Sequence, residues 1–385
     1  MRIGILTFHR AINYGAVMQA FSLQTRLQKE FPNCEVEIID YNSSTREWFK
    51  VKCPLVFSYR RSIKEAIQKA TQTCAFNSAL KRLRLSKSLL GATDQKVNQY
   101  MSENYDIVIV GSDAVFNWND IGLPNPYFLG EVHGPRKLSY AASSHLQRYN
   151  DISQEQKEYL QQALADFTYI GVRDRSSEEF VNNLLGEKKA EHNCDPTIFL
   201  DMQFDSMQLE KKLKKHGFDF NKKTVFVMLM KPEFAEYARK YFGEDCQIVA
   251  LMDGNKCADI YLHDLNPFEW AKVFSYGSFL VTDYFHGTIM GLKNNIPVLS
   301  IDSSGYGTTG EYESKACDLL KTRLGLPELY ITADELRKDN GYRVFQERIR
   351  VIENTFSADI LNQRIAKEAE SYQSFCAVLK ETCKK

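Results

Sequence analysis

The sequence predicts an α/β protein built as two consecutive, doubly wound domains. Three observations carry that prediction. The 385 residues exceed what a single hydrophobic core usually serves. The chain opens on a strand–helix–strand pattern. A second alternating series of the same kind begins near residue 195.

Residues 2–8 form an apolar β-run. Val17, Phe21, Leu23, Leu27 and Phe31 then recur at helical spacing, and Val36-Glu-Ile-Ile-Asp40 reads as a second strand. Further strands are expected at 106–110, 137–142 and 168–172, with helices at 153–166 and 175–186. Together these make one Rossmann-like domain. In the second series, 224–230 and 247–252 are strands. Residues 232–242 form a helix with a proline near its first turn, and 267–275 another. The stretch 279–302 reads as strand, tight turn, short helix and strand. From about 333 the pattern is helical and polar. The expected boundaries are 1–192 for the first domain, 193–350 for the second and 351–385 for terminal helices able to cross back to the first.

Residues 46–87 stand apart, with eleven Lys or Arg against Glu47 and Glu65. With the residues up to 100 they read as a basic helical insertion in the first domain. Such a face is either simply solvated or a surface for an anionic acceptor or membrane head groups.

Composition excludes several classes. Formal net charge is zero, so no global field draws the chain to nucleic acid. No apolar run approaches the roughly 20 residues that span a bilayer, and the N-terminus is too strand-like for a signal peptide. The nine cysteines are scattered without a CxxC pair, so neither a zinc site nor a disulfide framework is expected. Free thiols in a reducing cytoplasm fit best.

Ligands of open α/β sheets bind beyond the carboxyl ends of the strands, and four turns there carry polar groups. The first, Thr7-Phe-His-Arg-Ala-Ile-Asn-Tyr-Gly15, has a single glycine. It lacks the GxGxxG fingerprint, which disfavours NAD or FAD. Asn13 and Gly15 still suit a turn into a ligand-facing helix, whereas His9 and Arg10 in the same loop can simply be solvated. The second, Val110-Gly-Ser-Asp-Ala-Val-Phe-Asn117, offers Ser112, Asp113 and Asn117. Asp113 is either a helix cap or a base for an acceptor hydroxyl. The third, Gly171-Val-Arg-Asp-Arg-Ser-Ser177, offers Arg173, whose planar fork suits phosphate or carboxylate unless an acidic neighbour takes it. Ser176 or Ser177 would cap the next helix. The fourth holds Asp283, His286 and Gly287. A histidine at a helix N-terminus lies beside an anion site, where it would donate a proton chiefly with substrate bound.

These segments, in this order, resemble the polysaccharide pyruvyl transferase family. The likeness rests on Asn13-Tyr-Gly-Ala-Val-Met-Gln-Ala-Phe21, Gly111-Ser-Asp113 with Phe116-Asn117, and Ser139-Tyr-Ala-Ala-Ser143. Val172-Arg-Asp174, Cys194-Asp-Pro196 and Thr282-Asp-Tyr-Phe-His-Gly287 continue it, as do Ser314-Lys315, Asp318-Leu-Leu320 and Leu324-Gly-Leu326. The likeness covers residues 1 to about 330.

The resemblance implies two Rossmann-like lobes around a cleft, as in the GT-B-like glycosyltransferases. It implies phosphoenolpyruvate as donor substrate, no further cofactor and no metal. The acceptor would be a sugar diol, free, nucleotide-linked or lipid-linked, and the product a pyruvate ketal on a surface polysaccharide or its precursor. His286 would be the acid, Arg173 the anion binder and Asp113 the weaker assignment as base. Asn13, Gly15, Ser112, Asn117, Asp283, Gly287 and Lys315 would contact substrate. The enzyme would work in the cytoplasm, at the membrane's inner face if 46–87 docks there. The sequence departs from the family in two places: some members carry an arginine two residues before the histidine, where this chain has Tyr284. Arg10, Arg175 or Lys315 would then supply the missing anion contact. Lys315 stands where relatives often have arginine. Two other readings remain: a nucleotide-sugar glycosyltransferase of the same plan, and a non-catalytic sugar- or anion-binding protein.

Overall fold

A computed structural model describes residues 1–42, 63–119, 121–145, 147–252, 254–303 and 313–384. The described chain divides into two compact units. The first holds residues 1–42, 76–200 and 369–384, and the second holds 63–75 and 201–368. Residues 193–200, expected in the second domain, belong to the first, because Asp195 and Pro196 are hydrogen-bonded to its first helix.

The first unit is a parallel sheet in the order β2-β1-β5-β6-β7-β8. Its strands are β1 (Arg2–Leu6), β2 (Glu35–Ile38), β5 (Ile107–Val110), β6 (Arg136–Ala142), β7 (Tyr169–Val172) and β8 (Ala190–His192). A small pair, β3 (Tyr41–Asn42) and β4 (Leu89–Leu90), lies apart. Helices α1 (Tyr14–Glu30), α3 (Asp94–Asn104), α4 (Gln154–Ala165) and α5 (Arg175–Leu185) connect the strands, whereas most of α2 (Ile63–Ala79), residues 63–75, belongs to the second unit. Runs such as Ile-Val-Ile-Val in β5 are buried throughout, as expected where helices cover both faces of a sheet.

The expected insertion at 46–100 is narrower than the sequence suggested. Residues 46–62 lie outside the described residues. Leu89–Leu90 is a strand paired with β3, and 94–100 belong to α3, the helix leading into β5.

The second unit is also parallel, in the order β11-β10-β9-β12-β13-β14. It contains α6 (Met207–Lys215), β9 (Lys223–Met228), α7 (Glu233–Phe242), β10 (Cys246–Leu251), β11 (Ile260–Leu262) and α8 (Pro267–Val273). There follow β12 (Phe279–Thr282), α9 (Phe285–Lys293), β13 (Val298–Asp302), α10 (Lys315–Cys317) and β14 (Tyr330–Thr332). Helices α11 (Ala333–Leu336), α12 (Gly341–Thr355) and α13 (Ala358–Ala369) complete it. Both strand orders reverse direction at one point, between β1 and β5 and between β9 and β12. The carboxyl ends of those strands are where such folds place ligands.

The last helix, α14 (Tyr372–Thr382), belongs to the first unit. Phe375 and Leu379 are fully buried with Leu23 and Leu27 of α1. The Phe375 ring meets those of Tyr140 and Tyr169 edge-on, at 4.8 and 5.6 Å. Ser371 fixes the helix start, its hydroxyl accepting from the Cys194 N–H at 2.8 Å. Phe375→Ala is therefore expected to destabilise the first unit by about 3–5 kcal/mol. An unchanged urea midpoint would show that the helix contributes nothing to this core.

Candidate active site

In the first unit the site is built on the turn after β5. Gly111 has φ +120°, and a Cβ there would sit 2.2 Å from the Tyr140 carbonyl oxygen, so only glycine fits. Asp113 follows at φ +85°. Its carbonyl accepts from the Ser143 N–H at 2.8 Å, docking this turn on the end of β6. Thr7 Oγ1 donates to the Ser112 carbonyl at 3.0 Å and so ties the loops after β1 and β5 together. The Ser112 hydroxyl is buried and has no hydrogen-bond partner among the described residues.

Arg173, at the end of β7, is 4% exposed. Its Nη1 lies 2.9 Å from Asp195 Oδ2, and its Nη2 lies 3.5 Å from Asp113 Oδ1. Burial opposes the charge, but Asp195, Asp113 and Asp174 outweigh it and raise the guanidinium pKa. Arg173, the expected anion clamp, is engaged within its own unit. Two carboxylates of its own unit take its charge, one 60 residues earlier in sequence and one 22 later. Asp195 also accepts from Thr197 N and Oγ1, at 3.0 and 2.6 Å, and from Gln19 of α1. Asp174, rather than Ser176 or Ser177, caps α5. It accepts from Ser177 N and Oγ, at 2.9 and 2.7 Å, and from Ser143 Oγ at 2.7 Å.

The loop after β1 holds a second buried polar centre. His9 Nε2 lies 3.0 Å from Asp40 Oδ1. Arg10 forks onto the same carboxylate, with Nε to Oδ1 at 2.6 Å and Nη2 to Oδ2 at 2.8 Å. Burial alone would raise the Asp40 pKa, yet the hydrogen bonds from His9 and Arg10 push it down to about 2. Neither side chain is simply solvated, and the Arg10 fork is occupied by Asp40. Asn13 is the N-cap of α1, its side chain accepting from Ala16 N at 3.3 Å, and Gly15 lies inside that helix. Asn117 accepts from Asn119 N and Gln147 Nε2, at 3.2 and 3.0 Å.

In the second unit, Asp283 bridges the loops after β12 and β9. Its carboxylate accepts from Met230 N at 2.9 and 3.0 Å and from Lys231 N at 3.2 Å. Gly287 allows α9 to approach the sheet, since a Cβ there would lie 2.7 Å from Thr282 Oγ1 and 3.1 Å from Met228 Sδ. Both residues thus have structural tasks where substrate contacts were expected. His286 is the second residue of α9 and is half-buried. The N-cap, Tyr284, supplies no side-chain hydrogen bond to that helix. Lys315 Nζ stands 5.8 Å from the ring centroid of Phe285, which in turn meets the His286 ring edge-on at 5.3 Å. A titratable ring and an ammonium group thus gather at the start of one helix, at the carboxyl end of β12.

The sequence reading gave no role to Asp195, Gln19 or Asp40. Asp195 was visible within Cys194-Asp-Pro196, but nothing in that motif indicates that the acid faces an arginine. Among the described residues there is no group of three His, Cys, Asp or Glu able to hold a metal ion, and no helix long and apolar enough to cross a membrane.

The fold is that of the two-domain GT-B glycosyltransferases and epimerases. A protein described as a UDP-N-acetylglucosamine 2-epimerase from Listeria monocytogenes aligns over 100% of this chain and 96% of its own, with TM-score 0.57 and 9% identity. UGT89C1 of Arabidopsis thaliana aligns over 99% of both chains, with TM-score 0.52 and 12% identity. At such identities the likeness concerns fold alone. No curated protein matches the sequence. The family model of polysaccharide pyruvyl transferases matches residues 13–305. The chain belongs to that family and is a transferase of polysaccharide biosynthesis.

Two outcomes follow from this site. Arg173→Met leaves Asp195 and Asp113 without their counter-charge and is expected to cost about 3–5 kcal/mol of stability. A urea midpoint within error of wild type would contradict the ion-pair role. Asp40 has a folded pKa below its ordinary 3.8, so its contribution is complete above that value and is lost as pH falls toward 2. Urea unfolding between pH 5 and 3 should show wild type losing about 1 kcal/mol more than Asp40→Asn. A wild-type-to-variant difference that does not vary with pH would rule this out.

Proposed function

We propose that the enzyme transfers the pyruvyl group of phosphoenolpyruvate to two hydroxyls of a saccharide, forming a cyclic ketal. The observation that carries this reading is His286 at the start of α9 with Lys315 beside the same helix end. A helix N-terminus and an ammonium group favour a multivalent anion, and an imidazole beside it is suited to proton donation.

In this scheme His286 delivers a proton to the methylene carbon, which becomes the methyl group. The oxocarbenium ion at C2 is attacked by one sugar hydroxyl. Phosphate then leaves with its bonding electron pair, and the second hydroxyl closes the ring. The two hydroxyls release two protons, one balancing that taken up by the methyl carbon and one leaving with phosphate. Asp113 is the carboxylate proposed to accept from the acceptor, and Arg173 is a positioning residue that holds it. Lys315 replaces Arg173 as the proposed anion contact. Neither a metal nor a further cofactor is part of the scheme.

The basic segment supports a lipid- or nucleotide-linked acceptor and peripheral membrane contact. Ile63 and Ile67 are exposed one helical turn apart, beside Lys64. Arg84 is already paired with Glu35, at 3.1 Å.

Calorimetric titration with phosphoenolpyruvate tests the donor. Saturable binding is expected, weakened roughly tenfold in Lys315→Ala, equivalent to about 1.4 kcal/mol. His286→Gln should keep most of that affinity and lose on the order of 10²-fold or more in turnover. Binding of a UDP-sugar instead would put the glycosyltransferase reading in its place. Undiminished turnover in His286→Gln would remove the proposed acid.

A further inference from the structure

Away from the turns described above, the first unit carries a groove along helix α3. Its cavity has a volume of about 660 Å³, within the range of small-molecule sites. Two smaller cavities, of about 370 and 280 Å³ and lined in part by Lys87, Lys96 and Lys137, adjoin it. One shares Gln99 and Glu103 with the main cavity, and the other shares Glu131 and His133. One wall is a single helix face: Asp94, Gln95, Asn98, Gln99, Ser102 and Glu103 recur at helical spacing. At 1.5 Å per residue this wall runs roughly 13 Å, long enough for a short extended ligand. Asn125, Glu131 and His133 line the opposite side.

The chemistry of the walls narrows the ligand. Asp94, Glu103 and Glu131 are carboxylates, and neither lysine nor arginine lines the main cavity, so phosphorylated or carboxylated ligands are repelled. The acids form no metal-binding cluster among the described residues. The remaining polar groups are mostly side-chain amides, which donate and accept at one site. Sugar hydroxyls do the same.

Asn98 is a buried polar group of this wall. The residue is 7% exposed and lines the cavity, and its Oδ1 has no hydrogen-bond partner among the described residues. Leaving such a group unsatisfied costs about 1–3 kcal/mol. That oxygen is closed off from the groove as well as from solvent, so the amides that would meet a ligand are those of Gln95 and Gln99. The neighbouring groups are already ordered. Ser102 Oγ donates to the Asn98 carbonyl at 2.8 Å, Gln99 Nε2 donates to Glu103 at 2.8 Å, and Asp94 accepts from Tyr41 at 2.7 Å.

We propose that this groove is a second saccharide site, which holds a neutral, hydroxyl-rich stretch of glycan against α3. The proposal rests on the saccharide acceptor of the proposed function. It adds a place for sugar units other than the pair of hydroxyls that react. The site would raise affinity for longer acceptors over short ones without taking part in the chemistry.

The test is titration of the full chain, in the absence of phosphoenolpyruvate, with maltotetraose, cellotetraose, laminaritetraose and chitotetraose. At least one should bind saturably, with Kd of about 1 mM or tighter. Gln95→Ala with Gln99→Ala, both on the exposed side of the helix, should weaken that binding roughly tenfold or more. The same pair should leave transfer to a short acceptor unchanged. Absence of saturable binding by all four sugars overturns the proposal, as does binding that the groove variants leave untouched. Spermine bound there in place of the sugars would overturn the assigned ligand class. Sugar binding that persists in a protein with no affinity for phosphoenolpyruvate would leave the groove standing and fell the donor assignment alone.

Discussion

The carboxyl edge of the first unit depends on one buried charge, the guanidinium of Arg173. Three acids surround it. Asp113 comes from the turn after β5, Asp174 caps α5, and Asp195 follows β8 and reaches α1 through Gln19. Buried carboxylates this close to one another would be driven to bind protons without a cation among them. With the cation in place, Asp195 and Asp174 are free to order different pieces of the chain. Asp195 takes Thr197, and Asp174 takes Ser177 and Ser143. Four chain segments remote in sequence are thereby fixed relative to one another. Buried ion pairs contribute little net stability compared with apolar packing. Their value in this unit is geometric, since Asp113 sits at a left-handed φ that requires support from its surroundings.

The second unit solves the same topological problem differently. Its strand order also reverses at one point, and the two loops there must be held apart yet in register. Asp283 ties them by accepting from the backbone N–H groups of Met230 and Lys231, and Thr282 Oγ1 adds a bond to the Met228 carbonyl at 2.9 Å. A carboxylate facing backbone amides needs no buried cation. The two units thus share a fold and differ in how they anchor its ligand-binding edge: one by side-chain ion pairs, the other by a side chain on backbone.

Much of this was legible in the sequence, for physical reasons that can be named. A strand covered on both faces must be apolar along its whole length, so β5 and β12 announce themselves as Ile107–Val110 and Phe279–Thr282. The turns after them were legible because sheet topology puts ligand-facing residues there. What was hidden is pairing. Arg173 looked available because its partners lie far along the chain. Asp283 and Gly287 looked like ligand contacts because a residue that fixes a turn and one that binds through it occupy the same few positions. Serines at 176 and 177 resembled a cap, but Asp174, already at the end of the turn, reaches the Ser177 N–H first. That a terminal helix could return to the first domain was expected, and α14 belongs to it, but its contacts were not legible. Helical periodicity shows that Phe375 and Leu379 share a face, but not which sheet that face will meet.

The departure at Tyr284 bears on how a donor anion would be held in the proposed reaction. An arginine there would bring a planar fork with fixed directions. Lys315 brings a point charge on a flexible stem, which attracts an anion without orienting it. Orientation must then come from something rigid, and the rigid element at this place is the start of α9. Gly287 packs that helix tightly on Thr282 and Met228, and Thr282 Oγ1 accepts from the Tyr284 N–H at 3.0 Å. Backbone N–H groups of the first turn, fixed by the helix itself, are directional donors that need no side-chain ordering on binding. The glycine is therefore indirectly part of the proposed chemistry: it touches no substrate but sets the depth at which His286 is presented.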